Sequence, residues 1–264
     1  MGTVTSQDGT TIAFDRAGSG PALVMIDPAL GYRDVDSIRG LGAVLARELT
    51  VLTYDRRGRG LSTDTAPYAV EREVEDLAVL IDEAGGRASV FGFSSGGLLA
   101  LRAAAAGLPI ERMVLVEPPI GADDDPADVA FTAEIAALVA AGRNHDAVQH
   151  MLVSIGMPPE AIDGIADRPA MDAVAPTLVH DCTISASTGT GLLASVPTPT
   201  LVVDSSGSTD DLTGSAAAVA AALPRGRHRS LPGGWHGVPD DVLAPVVLEF
   251  LTVALTRPRH GERR

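Results

Sequence analysis

The sequence predicts an α/β fold in which a mostly parallel sheet of eight strands carries helices on both faces. Short runs that are almost wholly apolar, such as PALVMID at 21–27 and TVLTYD at 50–55, alternate with stretches of helical length. Uniformly apolar strands are typical of a parallel sheet that is covered on both sides. A chain of 264 residues can enclose such a core and carry an insertion beside it.

The predicted elements follow one another in a regular order. Polar and apolar residues alternate around Asp8-Gly9, which predicts an antiparallel hairpin at the edge of the sheet. Further strands are expected at 21–27, 50–55, 88–92, 111–117, 197–204 and 227–233. Helices are expected near 35–48, at 71–84, in LLALRAAAA after the strand at 88–92, at 211–222 and at 239–256.

The alternation breaks after the strand at 111–117. Residues 118–196 contain several Ala-rich helical stretches and no clear strand, which indicates a helical cap inserted over the sheet. The expected core therefore comprises residues 1–117 and 197–258. The tail at 259–264 is expected to be disordered.

The composition argues against several classes of function. A net charge of -14 disfavours nucleic-acid binding, which depends on Lys and Arg. The single cysteine, Cys182, can form neither an internal disulfide nor a cysteine-based zinc cluster. The sequence shows no apolar stretch of membrane-spanning length and no secretory signal. We therefore expect a cytoplasmic protein that acts on a small molecule without a cofactor or metal; its oligomeric state is not predicted.

The stretch GFSSGG suggests a nucleophile between a strand and a helix. A nucleophile at such an elbow lies in a strained turn, so the residues two before it and two after it must be small. Gly92 and Gly96 meet this requirement for Ser94, whereas centring the pattern on Ser95 would require a glycine at Phe93. Ser94 is therefore the candidate nucleophile, and a Gly/Ser-rich helix start without chemistry is the simpler alternative.

With these motifs in place, nearly the whole chain resembles the α/β-hydrolase superfamily. The similarity includes the N-terminal hairpin, TYDRRGRGLS at 53–62, the GFSSGG elbow, the cap, PTLVV and GGWHG. More narrowly, the chain is similar to small capped bacterial serine hydrolases, many of which are uncharacterised or act in secondary metabolism. The resemblance implies a Ser-His-acid triad and an oxyanion hole.

His236 is the candidate general base. It follows the last predicted strand and precedes the last predicted helix, where the resemblance places a catalytic histidine, and its flanking glycines allow the loop to reach inward. The remaining histidines are expected to have no catalytic or metal-binding role: His145, His150, His180, His228 and His260.

The resemblance also implies an acid after the seventh strand, but Ser208 occupies that position. Glu117 is favoured instead, because a carboxylate at the end of an apolar strand is costly unless it is paired. Its alternative role is a buried partner of an arginine or of loop amides. Asp204 and Asp210 are the other candidates for the triad acid.

The oxyanion hole is expected to use the backbone N–H groups of Ala29 and Ser95, since Pro28 has no N–H. Asp27 is unusual at this position, because a carboxylate beside a developing oxyanion would repel it unless the carboxylate is paired or turned away. We interpret it as structural, with Arg56 or Arg57 as its partner; a catalytic role outside acyl transfer is the alternative.

These features predict a hydrolase that cleaves a carboxylic ester, lactone or thioester through an acyl-enzyme. The cap residues Phe131, Met151, Leu152, Ile155 and Met157 favour a small to medium, mainly apolar substrate, although cap packing accounts for most of them. The alternatives are a biosynthetic enzyme such as a cyclase, and a ligand-binding protein on the same fold with a degraded triad.

Overall fold

Eight strands form one sheet in the order β1-β2-β4-β3-β5-β6-β7-β8. The computed structural model describes residues 1–35, 37–121 and 125–252. β2 runs antiparallel to β1 and β4, and every other neighbouring pair is parallel. The strands are β1 (Gly2–Thr5), β2 (Thr11–Ala17), β3 (Ala22–Ile26), β4 (Thr50–Tyr54), β5 (Ala88–Phe93), β6 (Ile110–Val116), β7 (Thr200–Ser205) and β8 (Gly226–Leu231).

Helices cover both faces of this sheet, as the apolar strands predict. One apolar cluster joins the sheet to α2, α3 and α9, and a second joins the opposite face to α1 and α10. The core helices are α1 (Arg39–Leu45), α2 (Val70–Glu83), α3 (Ser95–Ala105), α9 (Asp210–Ala222) and α10 (Asp240–Thr252).

One predicted helix is longer than the helix in the structure, and the end of another cannot be compared. α1 is shorter than the predicted 35–48: Val35 forms a bridge with Tyr32 before the helix, and residues 46–48 form turns after it. The last helix is described as far as Thr252. The end of the predicted core, 253–258, and the predicted disordered tail, 259–264, lie outside the described residues.

The segment between β6 and β7 is helical throughout its described part, apart from its connecting loops. Its apolar residues form a separate cluster that includes Ile135, Leu152 and Leu178. It contains α4 (Pro126–Ala140), α5 (Asn144–Ser154), α6 (Pro159–Ala166), α7 (Pro169–Val174), α8 (Leu178–Ala186) and 3₁₀ turns at Ala175–Thr177 and Thr190–Ser195. We call this segment the cap.

A buried ion network joins the cap to the loop after β4. Asp181 of α8 accepts hydrogen bonds from Arg56 at 2.7 Å and from Arg59 at 2.5 Å. Arg56 also pairs with Glu73 of α2 at 2.7 Å. These side chains are at most 3% exposed. Each charge is therefore compensated inside the protein, which offsets the cost of removing it from water.

Asp27 does not have the predicted arginine partner. Arg57 pairs with Asp8 and Asp76, and Arg56 reaches only the backbone oxygen of Asp27, at 3.4 Å. The carboxyl group of Asp27 accepts a hydrogen bond from the Ser37 hydroxyl at 2.8 Å. Burial raises the pKa of this carboxyl to about 6. The arginines were misassigned because their carboxylate partners come from helices and a hairpin distant in sequence.

No helix within residues 1–35, 37–121 and 125–252 combines the length and the apolar character that crossing a membrane requires.

Asp181→Asn should destabilise the protein by about 3–5 kcal/mol, because it leaves buried guanidinium charge without its carboxylate. Urea unfolding measures the loss. Asp146→Asn is the control, since it removes an exposed cap ion pair with Arg143 and should cost less than about 1 kcal/mol. Equal losses for the two variants would contradict an anchoring role for Asp181.

Asp27→Asn should change how the stability depends on pH. The pKa of Asp27 rises from 3.8 to about 6 on folding, so its contribution to stability is fully present below about pH 4 and is lost as the pH rises through about 6. Relative to Asp27→Asn, the wild-type free energy of unfolding should fall by about 2 kcal/mol between about pH 4 and pH 7. Denaturant unfolding across this range measures the difference; a pH-independent difference would refute the buried, unpaired state of Asp27.

Candidate active site

Ser94 lies at a sharp turn between β5 and α3. Its φ is 51° and its ψ is -122°, in a region that side chains rarely adopt. A Cβ added at Gly92 would lie 2.6 Å from the backbone oxygen of Gly96, and one added at Gly96 would lie 2.5 Å from that of Ile26. The two glycines are therefore required by close backbone packing, as the elbow pattern predicts.

The register of the sheet brings Glu117 beside this elbow. Phe93 lies opposite Val116 in neighbouring parallel strands, and the Ser94 N–H donates to the Val116 oxygen at 2.9 Å. Glu117, the next residue, is fully buried. Its Oε2 lies 2.6 Å from Nδ1 of His236. Glu117 is thus the carboxylate that contacts the candidate base.

Three hydrogen-bond donors satisfy the Glu117 carboxylate. Besides the His236 ring, Oε1 accepts from the Ser205 N–H at 2.7 Å and from the Ser208 hydroxyl at 2.6 Å. Burial alone would raise the pKa of Glu117, but these hydrogen bonds lower it overall. The carboxylate is therefore held in its charged form.

The two aspartates considered for the triad acid lie elsewhere. Asp204 is buried at the end of β7 and pairs with Nε2 of His228 on β8. Asp210 is exposed at the first turn of α9. Neither contacts His236.

Strained backbone is concentrated at this edge of the sheet. Among the described residues, the four non-glycine residues with positive φ are Leu30, Ser94, Glu117 and His236. Their φ values are 64°, 51°, 44° and 47° respectively. Such conformations cost about 1–3 kcal/mol each and tend to cluster at functional sites. Three of the four are the predicted nucleophile, acid and base.

The His236 ring lies next to the elbow. It is 4.9 Å, centroid to centroid, from the ring of Phe93, the residue before Ser94. The His236 side chain is 12% exposed and lines a separate cavity of about 220 Å³ together with Phe93. Within the described part of the chain, the Ser94 hydroxyl makes no hydrogen bond. Such contacts are often long in unliganded enzymes and tighten when substrate binds.

Ser94 lines a cavity of about 530 Å³ beneath the cap, together with Ala29 and Ser95. The two predicted oxyanion donors are thus on the same cavity as the nucleophile. Three of the five cap residues predicted from their apolar character line it as well: Phe131, Met151 and Ile155. Leu152 and Met157 instead pack in the cap core.

The loop that carries Ala29 is held by an arginine of the DRRGRG segment. Arg59 donates to the backbone oxygens of Pro28, at 2.7 Å, and of Gly31, at 3.0 Å. The Ser95 side chain donates to Asp181 at 2.8 Å. Both sides of the candidate oxyanion hole are therefore fixed by the buried ion network.

The other described histidines are explained by local packing. The His180 ring stacks on Tyr68 at 3.8 Å, and His150 lies 2.8 Å from Glu134 on the cap surface. His260 lies outside the described residues. Within the described ranges, no group of three or more His, Cys, Asp or Glu side chains is arranged to hold a metal ion.

Sequence reasoning missed two residues at this site. Ser208 donates to Glu117, and its Oγ also accepts from the His236 N–H at 2.9 Å. The sequence feature that could have indicated this role is the serine at the position where the resemblance implies an acid. A hydroxyl there can bridge an acid from another strand to the base. Asp181 has no local signal, because its partner Arg56 is 125 positions away in sequence.

Comparison with known proteins agrees with this architecture. The chain is 44% identical to an alpha/beta hydrolase of known structure from Sphaerobacter thermophilus, with a TM-score of 0.86 over 95% of this chain and 100% of that chain. An enol-lactonase from Burkholderia xenovorans, 21% identical, shares the fold with a TM-score of 0.71 over 95% of this chain and 100% of its own.

A curated relative, the uncharacterized hydrolase YraK of Bacillus subtilis, is 34% identical over 97 residues. That match spans 35% of this chain and 35% of the relative, so about a third of the relative's length is covered. The family model described as "Alpha/beta hydrolase family" matches residues 23–247. The chain belongs to the alpha/beta hydrolase family.

Proposed function

We propose that this hydrolase cleaves an ester-type bond through a Ser94-His236-Glu117 triad. The observation that carries the proposal is the 2.6 Å contact between Glu117 Oε2 and His236 Nδ1 at the edge of the sheet where Ser94 forms the elbow. The bond class comprises carboxylic esters, lactones and thioesters. A carboxylate, an imidazole and a strained serine together are the components of nucleophilic acyl transfer.

The first half of the reaction forms an acyl-enzyme. Glu117 accepts a hydrogen bond from the Nδ1–H group of His236, which holds the tautomer whose Nε2 is unprotonated and able to remove the hydroxyl proton of Ser94. The serine oxygen attacks the carbonyl carbon, and the N–H groups of Ala29 and Ser95 bind the oxygen that becomes negative. The C–O bond to the alcohol then breaks, and His236 gives its proton to the leaving oxygen.

The second half regenerates the enzyme. His236 removes a proton from water, and the resulting hydroxide attacks the acyl carbon. The bond to Ser94 breaks, the serine oxygen regains a proton from His236, and the acid is released. These steps use only side-chain and backbone groups of this chain.

The walls of the cavity support a small to medium substrate. Apolar side chains from the cap and from α9, among them Phe131, Met151, Ile155 and Leu212, line it together with Ile120 after β6. Burial of apolar substrate surface against these walls would supply binding energy, while the few polar groups near Ser94 would orient the carbonyl.

A fluorophosphonate probe should label Ser94 rapidly, because the probe captures a serine that has an active base. Mass spectrometry of the digested protein locates the label, and Ser94→Ala should abolish it. Ser95→Ala is a matched control at the neighbouring hydroxyl and should keep the label on Ser94. Inert, folded wild-type protein would instead favour a ligand-binding protein on this fold, and labelling without ester turnover would favour a non-hydrolytic biosynthetic enzyme.

Glu117→Gln should lower kcat by about 10⁴, since the amide NH₂ would face Nδ1 and favour the wrong tautomer of His236. Steady-state hydrolysis of a p-nitrophenyl ester measures the loss, and the melting temperature reports whether the variant folds. Asp204→Asn and Asp210→Asn are the controls and should retain kcat within about 10-fold. A loss in Asp204→Asn that matches the loss in Glu117→Gln would overturn the assignment of the acid.

A further inference from the structure

The charged residues among the described lining of the Ser94 cavity are all acidic. Three of its described lining residues are aspartates, namely Asp128, Asp181 and Asp211. None of the described lining residues is an arginine, a lysine or a histidine. A low-dielectric cleft lined with charges of one sign concentrates their field on whatever enters.

The three carboxylates differ in their partners. Asp181, which is buried, is neutralised by Arg56 and Arg59. Asp128 and Asp211 form no ion pair with any residue in the described ranges. Burial, together with repulsion from Asp125, raises the pKa of Asp128, which agrees with a carboxylate that lacks a compensating cation.

The unpaired carboxylates lie toward the open end of the cavity. Asp181 and Ser95 are buried, whereas Asp128 is half-buried and Asp211 is exposed. They also come from different elements, Asp128 from the first turn of α4 and Asp211 from the first turn of α9. A substrate whose carbonyl is at Ser94 would therefore place its remote end near these two carboxylates.

An aromatic side chain accompanies Asp128. Phe131 lies one turn further along α4 and lines the same cavity. Residues three apart share a helix face. The Phe131 ring also lies 5.0 Å, centroid to centroid, from the ring of His150. An aromatic face beside a carboxylate is a favourable site for an organic ammonium group.

We propose that this cavity selects esters by the charge of the group remote from the scissile carbonyl, with a cationic ammonium group preferred over a neutral group and a carboxylate disfavoured. Asp128 and Asp211 are the residues that set this order. The inference rests on the proposed ester hydrolysis at Ser94, and it adds the substrate class.

Matched p-nitrophenyl esters test the order directly. The cationic substrate is the ester of γ-trimethylammoniobutyric acid, and its neutral isostere replaces the trimethylammonium group by tert-butyl. The anionic substrate is the monoester of glutaric acid, whose neutral isostere replaces the carboxylate by isopropyl. Each kcat/KM is divided by the second-order rate constant for hydrolysis of the same ester by hydroxide. This normalisation removes differences in intrinsic reactivity between the esters.

The normalised kcat/KM should be about 10-fold higher for the cationic ester than for its isostere, and about 10-fold lower for the anionic one. Asp128→Asn and Asp211→Asn should each reduce the cationic preference by about 3- to 10-fold. Asp210→Asn, next in sequence but outside the cavity lining, is the control and should leave the preference unchanged. Raising NaCl from about 0.02 M to about 0.5 M should weaken the preference in the wild type.

Binding to Ser94→Ala separates the two proposals. The corresponding methyl esters, which this variant cannot acylate, should bind in the same order by calorimetry. Hydrolysis of neutral esters without any charge preference would overturn only the charge selection. Charge-ordered binding by Ser94→Ala with no hydrolysis by the wild type would overturn ester hydrolysis and leave the selectivity standing. Equal or reversed binding of the cationic ligand would overturn the selectivity whatever the activity.

Discussion

A buried carboxylate with three donors organises the edge of the sheet that carries Ser94 and His236. Glu117 has no exposed surface, and an ionised group in that position is tolerated only when its hydrogen-bonding capacity is satisfied. Its donors come from the end of β7, from the loop after β7 and from the loop that carries His236. One side chain thus ties the end of β6 to two segments that are distant from it in sequence, and the position of the imidazole depends on it.

A second buried network connects this edge to the cap. Asp181 holds two arginines of the loop after β4 and also accepts a hydrogen bond from Ser95, the residue that follows the elbow. Arg59 continues the network to the loop of Ala29. The DRRGRG segment therefore acts as a structural connector between the cap, the elbow and the loop after β3. The cavity is lined by residues of both the core and the cap.

The sequence was informative where the chemistry is local. Apolar strands fixed the layer order, and the two glycines around Ser94 identified the elbow because a side chain there would clash with backbone. Glu117 could be favoured because a carboxylate ending an apolar strand requires partners. Ser208 at the expected acid position was recognised as a departure, but its bridging contacts depend on where two loops meet.

Long-range pairing could not be predicted. Arg56 and Arg57 were assigned to Asp27, whereas their partners come from α2, α8 and the N-terminal hairpin. Periodicity does not say which buried charges will meet when the choice depends on how the cap rests on the sheet. The length of α1 was also overestimated, since Val35 forms a bridge with Tyr32 before the helix and residues 46–48 form turns after it.

The last strand, β8, has a consequence for association between copies of the protein. It is the terminal strand of the sheet, and its exposed residues include Arg227, His228 and Arg229. An unpaired strand edge is a template for intermolecular β-pairing, and charged side chains on such a strand oppose that pairing. Arg227 and Arg229, which are exposed on this strand, therefore disfavour edge-to-edge association of the native fold.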